Sequence, residues 1–113
     1  METSILTSIK KLLGIEEDYT HFDSDITIYI NSAFMSLHQL GVGPIDGFKI
    51  LNKEATWGDF INERLDLEGV KTYVYLKCRL IFDPPQMGYL VDAIKGQINE
   101  LEWRLNVQVE GGE

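Results

Sequence analysis

The 113-residue sequence has one cysteine, two histidines and no apolar run long enough to cross a membrane. A single cysteine, Cys78, excludes an internal disulfide and suits a reducing compartment. The longest apolar segment, residues 74–82, is interrupted by Lys77 and Arg79 and is far shorter than the roughly 20 residues that span a bilayer. The first lysines follow the first apolar residues, the reverse of a signal peptide. We therefore expect a soluble, intracellular protein.

The sequence also lacks the residue groupings that bind metals, bind cofactors or catalyse reactions. His21 and His38 stand alone, with no H-E-x-x-H or C-x-x-C spacing around them. Cys78 lies on the apolar face of a predicted helix, where a reactive thiolate is disfavoured, and no glycine-rich phosphate loop precedes a helix. These absences predict a protein without catalytic residues, metal or cofactor.

Basic residues are few: 10 lysines and arginines stand against 18 acidic residues, for a net charge of -8 at pH 7. Sequence-independent DNA binding depends on basic residues that displace counterions from phosphates, so this composition disfavours it. Two interpretations of the acidity remain. One is a solvated surface, which is the commoner case, and the other is a surface that DNA passes without adhering.

The apolar content is sufficient for one domain. Hydrophobic residues make up 44% of the chain and aromatic residues 11%, more than a disordered chain carries. A chain of this length buries roughly 65% of its unfolded surface in a single core. We expect one domain over residues 1–113. Its predicted fold is all-α, a compact bundle of four main helices plus one short helix in an irregular central loop.

Periodicity and end signals place the first two helices. Thr3 or Ser4 is the predicted N-cap of the first helix, and Gly14 ends it. Its apolar positions recur at helical spacing: Ile5, Leu6, Ile9, Leu12 and Leu13. Asp23 is the predicted N-cap of the second helix, which reaches Leu40. The apolar stripe of that helix is Ile26, Ile30, Ala33, Phe34, Leu37 and Leu40.

Between residues 42 and 66 the periodicity fails and turn signals dominate. Thr56 is the predicted cap of one short helix that places Trp57 and Phe60 on one face. These aromatics are either plugs that close the bundle or anchors for a partner. Residues 48–50 alternate like a strand, but the chain offers no partner strand. We expect this segment to pair with a neighbouring subunit or not at all.

Asp66 is the predicted cap of a fourth helix, Leu67 to Phe82, whose broad apolar surface indicates the central helix. Two prolines then set a corner, and the last helix begins near Gln86. Its core stripe follows a four-three alternation: Met87, Val91, Ile94, Ile98, Leu101 and Leu105. Residues 107–113 are expected to form a flexible tail.

The last helix carries a second stripe, whose members are spaced by whole heptads: Tyr89, Gly96 and Trp103. At about 100° per residue, Trp103 falls opposite Ile94 of the core stripe. The helix is therefore either sandwiched within its own bundle or in contact with another subunit, with Gly96 allowing close approach. The candidate residues for a subunit or partner interface are Tyr89, Gly96, Trp103, Trp57 and Phe60.

The order of five segments along the chain carries a family resemblance. They are LTSIKKLLGI at 6–15, LGVG at 40–43, VKTYV at 70–74, LIFDPP at 80–85 and ELEWRL at 100–105. In this order and at this chain length, they resemble the small head-tail connector (adaptor, head-completion) proteins of tailed bacteriophages and prophages. The resemblance covers nearly the whole chain.

The resemblance implies a non-enzymatic virion component that assembles as a homo-oligomeric ring of about twelve copies beneath the portal protein. Such a ring connects head to tail, extends the DNA channel and receives a stopper or tail-completion protein. DNA passes through it without specific binding, and no membrane is involved. The implied location is the head-tail junction of the virion, with assembly in the host cytoplasm. The family has no catalytic residues to transfer to this chain.

A second hypothesis places the chain in a different class. A small helical protein-binding module, or regulator of a phage or bacterial partner, would hold one helix of that partner in a groove beside the last helix. Such a module would share the acidic composition and the absence of catalytic residues, so the sequence leaves both hypotheses open.

Overall fold

The structure, a computed structural model, describes residues 4–44, 46–60 and 67–111. Five α-helices lie in these ranges: α1 (Ile5–Leu12), α2 (Asp23–Gln39), α3 (Trp57–Phe60), α4 (Leu67–Phe82) and α5 (Gly88–Gly111). The predicted all-α bundle of four main helices and one short helix is confirmed. Across the described part of the chain, no helix is both long enough and apolar enough to cross a bilayer.

The first helix begins and ends where the sequence predicts. Ser4 is its N-cap, and Ser4 Oγ accepts a hydrogen bond of 3.2 Å from the backbone N–H of Thr7. Gly14 follows the helix with φ of 85°, the left-handed conformation that commonly ends helices. The alternative cap, Thr3, lies outside the described residues.

The predicted N-cap of α2 is wrong. Phe22 occupies the cap position, without a side-chain hydrogen bond, and Asp23 is the first helical residue. The Asp23 carboxylate is used elsewhere: Lys10 Nζ lies 2.8 Å from its Oδ1, as an ion pair rather than an aligned hydrogen bond. Lys10 is only 2% exposed and also donates to the backbone oxygen of Glu17 at 2.9 Å. A buried ammonium is tolerated because it is paired, and this pair joins α1 to α2.

The backbone of Ile50, at the end of the strand-like segment 48–50, bonds to a side chain of α2 instead of to a strand. The backbone N–H of Ile50 donates to Asn31 Oδ1 at 2.7 Å, and Asn31 Nδ2 donates to the Ile50 oxygen at 3.0 Å. Within the described residues, 48–50 is not a strand and pairs with no other strand. Pairing with a neighbouring subunit stays a prediction. A side-chain amide of α2 supplies the donor and acceptor that a neighbouring strand would have supplied.

α4 is the central helix, as predicted, because it packs against α1, α2 and α5. Its fully buried side chains are Val70, Tyr73, Val74 and Cys78. The predicted cap of α4, Asp66, lies outside the described residues.

The core stripe of α5 is buried at Ile94, Ile98 and Leu105, whereas Met87 is 55% exposed, so the predicted stripe is wrong at its first position.

The end of α5 packs against the end of α2. Asn106 Nδ2 donates to the backbone oxygen of Leu40 at 3.2 Å, and the Val109 side chain lies beside Gly41. The helix runs through Val107 to Gly111. The flexibility expected of residues 107–113 stays a prediction.

Candidate interaction surface

The second stripe of α5 lies on the surface of the subunit. Tyr89 is 68% exposed and Trp103 is 67% exposed. No atom of the described residues outside the helix backbone lies within 4 Å of a Cβ placed on Gly96. The alternative in which α5 is sandwiched within its own bundle is therefore wrong. Contiguous exposed apolar side chains are typical of interaction surfaces, and the prediction that this face is an interface rests on them.

The second stripe of α5 has more members than the three that the sequence predicted. Ala93 and Val107 are also exposed on the same side, and the full set follows the same four-three alternation as the core stripe. We name this set the outer stripe of α5: Tyr89, Ala93, Gly96, Glu100, Trp103 and Val107. The spacing that identified the core stripe would have found Ala93 and Val107 had it been applied to the opposite side of the helix.

One charged residue, Glu100, belongs to the outer stripe of α5, and it is paired within the helix. Arg104 Nη2 lies 2.8 Å from Glu100 Oε2, and Arg104 Nε donates to the same oxygen at 2.9 Å. Two donors of the guanidinium thus meet one carboxylate oxygen and offset the charge of Glu100. The stripe is therefore apolar or charge-neutral along its length.

A hydrogen bond beside Trp103 joins α5 to α4. The Tyr73 hydroxyl of α4 donates to Glu102 Oε2 at 2.7 Å. The pKa of Tyr73 is raised mainly by burial and, to a smaller extent, by the hydrogen bond to Glu102. The hydroxyl therefore stays protonated and remains a donor. With Glu102 held against α4, the neighbouring Trp103 side chain points to solvent.

A shallow groove of about 220 Å³ runs beside Trp103, between α5 and the start of α4. Its apolar lining is formed by Leu101, Trp103, Leu105 and Val107. This volume is below the 300–1,000 Å³ typical of ligand pockets. The groove has room for one large side chain of a partner but not for a helix.

Trp57 and Phe60 are plugs of the core. Each is 3% exposed. Trp57 Nε1 donates to Ser8 Oγ at 2.8 Å, and the Phe60 ring lies 4.6 Å from the Phe34 ring. Thr56 caps their short helix as predicted: its Oγ1 accepts from the Asp59 N–H at 3.3 Å. Of the five candidate interface residues, the structure brings Tyr89, Gly96 and Trp103 to one face and places these two inside.

In the described part of the chain, the two histidines and the cysteine do not come together in a catalytic or metal site. The His21 ring stacks edge-on against Phe22 at 4.7 Å, and His38 lies beside Gly47 at the far end of α2. Burial raises the pKa of Cys78 to about 12, so its thiol is unreactive at neutral pH. Within residues 4–44, 46–60 and 67–111, no three His, Cys, Asp or Glu side chains are grouped so as to hold a metal ion.

Comparison with known proteins identifies one family. The family model described as phage connector protein matches residues 5–112, nearly the whole chain. No curated protein and no solved structure matches the chain. The match agrees with the predicted head-tail connector role and implies a virion location. The chain therefore belongs to the phage connector protein family.

Proposed function

We propose that this protein is a non-enzymatic subunit of a ring beneath the portal that joins the phage head to its tail and extends the DNA channel. The family match over residues 5–112 carries the connector role. The observation that supports a ring is the outer stripe of α5, with Tyr89 and Trp103 each about two-thirds exposed. Exposed aromatic residues on a rigid helix are typical anchors of protein interfaces.

The proposed partners are further copies of the chain, about twelve in the finished particle, the portal protein and a stopper or tail-completion protein. Assembly takes place in the host cytoplasm, and the product is part of the virion. The net charge of -8 suits a ring whose channel DNA traverses, because an acidic wall repels phosphates and holds no counterion-displacing contacts.

The helix-binding module is less well supported by the surface of the subunit. A groove of about 220 Å³ beside Trp103 holds one side chain, whereas a partner helix needs a groove that takes side chains from several turns. A ring contact uses the whole outer stripe of α5, and this stripe extends over about five turns of the helix.

Negative-stain imaging of the portal protein from the same phage, with and without this chain, tests the proposal. We expect an extra ring of density on one end of the portal when the chain is added. Trp103→Ala should reduce the fraction of portals that carry it, while Ile81→Ala, which removes an exposed side chain of α4, should not. Portals that stay unchanged at saturating concentrations of the wild-type chain would contradict the proposal.

A further inference from the structure

α2 carries an exposed apolar stripe of its own. Ile28 is 63% exposed and Met35 is 65% exposed, although the opposite side of the same helix is in the core. Ser32 lies between them on the same side and is also exposed. We name Ile28, Ser32 and Met35 the outer stripe of α2. Nothing in the family role described so far uses this surface.

The outer stripes of α2 and α5 are both free of net charge. Residues 26–40 contain no Asp, Glu, Lys or Arg, in a chain that is 25% charged. Glu100 of α5 is offset by Arg104 at 2.8 Å. Two copies with a net charge of -8 repel each other, and between Ile28 and Met35 these stripes let them approach without bringing like charges together. The nearest acidic residue of α2 is Asp25, one turn before Ile28. Loss of charge with enrichment in Tyr, Trp and Met is typical of interface cores.

The two stripes also match in shape. With a rise of about 1.5 Å per residue, Ile28 and Met35 are about 10 Å apart along α2, whereas Tyr89 and Trp103 are about 21 Å apart along α5. Gly96 lies midway between the two aromatics. When Ser32 is placed on Gly96, two small residues meet and the helices approach closely. Ile28 and Met35, about 6 Å and about 5 Å from Ser32 along α2, then lie over the stripe positions on either side of Gly96. These positions are Ala93 and the Glu100 side chain that is paired with Arg104.

The two stripes face in different directions on one subunit. α2 and α5 each pack their core side against α4, so their outer sides point away from it. A contact between two different surfaces of the same protein is heterologous, and heterologous contacts that close give rings. A contact of α5 with α5, by contrast, is isologous and stops at a dimer.

We infer that α2 of one copy packs along α5 of the next copy, with Ser32 against Gly96. The inference rests on the proposed function, because it names the contact that closes the proposed ring. Covering Tyr89 and Trp103 removes on the order of 300 Å² of surface, less than the roughly 800 Å² per partner of a stable dimer. A complex of only two copies is therefore weak, whereas every copy in a closed ring makes two such contacts.

Cysteine cross-linking on the portal tests the contact. One preparation carries Ser32→Cys and a second carries Gly96→Cys; both positions are exposed, and a side chain at 96 meets open space. The native Cys78 is buried and does not compete. The two preparations are mixed with portal protein and oxidised. We expect a disulfide-linked dimer from the mixture and none from either preparation alone, because a disulfide needs Cα atoms within about 7 Å.

The matched control replaces Gly96→Cys by Lys95→Cys, one residue away on α5 and about 100° around the helix. This control pair should give several-fold less dimer than the Ser32 and Gly96 pair. Equal yields, or a dimer from Gly96→Cys alone, would overturn the inference. Rings visible by negative stain without the expected cross-link would overturn the inference and leave the proposed function standing. Absence of any ring would overturn both.

Discussion

The Tyr73 hydroxyl donates a 2.7 Å hydrogen bond to Glu102, the residue directly before Trp103. This bond joins the central helix to the last helix at a point where neighbouring side chains of α5 face in different directions. Glu102 is held against α4, and Trp103 is 67% exposed. Packing against α4 therefore decides which side of α5 faces solvent.

Tyr73→Phe should lower the free energy of unfolding by about 1–2 kcal/mol, because it removes a hydrogen bond to a charged acceptor that water partly replaces. Urea denaturation of the isolated chain measures the change. Tyr75→Phe is the matched control, since the Tyr75 hydroxyl accepts only a long 3.4 Å contact from Arg79. The control should differ from wild type by no more than about 0.5 kcal/mol. Equal losses for both variants would contradict the assigned role of the Tyr73 bond.

Replacing each of the two tryptophans by alanine should change the free energy of unfolding by very different amounts. Trp103→Ala should change the free energy of unfolding by less than about 0.5 kcal/mol, because the side chain is mostly in solvent. Trp57→Ala should cost about 3–5 kcal/mol, because it empties part of the core and leaves Ser8 without its donor. Thermal unfolding monitored by circular dichroism separates them. A fold that collapses in Trp103→Ala would assign that residue to the core instead.

Two glycines give a similar contrast. Gly96→Ala should stabilise the isolated chain by about 0.5–1 kcal/mol, since alanine is the better helix former and its Cβ meets open space. Gly43 has φ of 95°, and a Cβ there would overlap the Phe60 ring. Gly43→Ala should therefore destabilise by about 1–3 kcal/mol or more. Denaturation midpoints compare the two, and a stability loss in Gly96→Ala would mean that α5 packs differently.

Sequence reasoning worked best where neighbours along the chain decide the structure. The Ser4 cap, the stop at Gly14 and the core stripe of α5 follow from local spacing, and the predictions were correct except at Met87, which was placed in the core stripe but is exposed. Asp23 was misassigned because its carboxylate pairs with Lys10 of another helix. No local pattern distinguishes that use from a cap.

The same limit applies to the candidate interface. Trp57 and Trp103 both lie in helices, and the sequence pattern around them does not distinguish a buried plug from an exposed anchor. The three-dimensional packing decides: α3 lies against Phe34, whereas the outer side of α5 has no neighbour among the described residues at Gly96. The pairing of Asn31 with Ile50 was missed for the same reason, since a side chain replaces a strand.

Stability should fall at alkaline pH, in part through Cys78. Burial raises the pKa of this thiol from its ordinary value of 9.0 to about 12. The unfolded chain therefore loses this proton first, so the contribution is fully present below about pH 9 and is lost as pH rises toward 12. The slope is at most about 1.4 kcal/mol per pH unit. Denaturation of wild type and Cys78→Ala between pH 8 and about pH 10 checks it; equal slopes in the two proteins would contradict it.

Native mass spectrometry of the chain mixed with the portal protein of the same phage tests the central claim most directly. We expect one dominant complex in which a full ring, about twelve copies, is bound to the portal. Trp103→Ala should shift the mixture toward free subunits. A chain that stays strictly monomeric, with no mass added to the portal at any concentration, would show that the chain does not form the proposed ring.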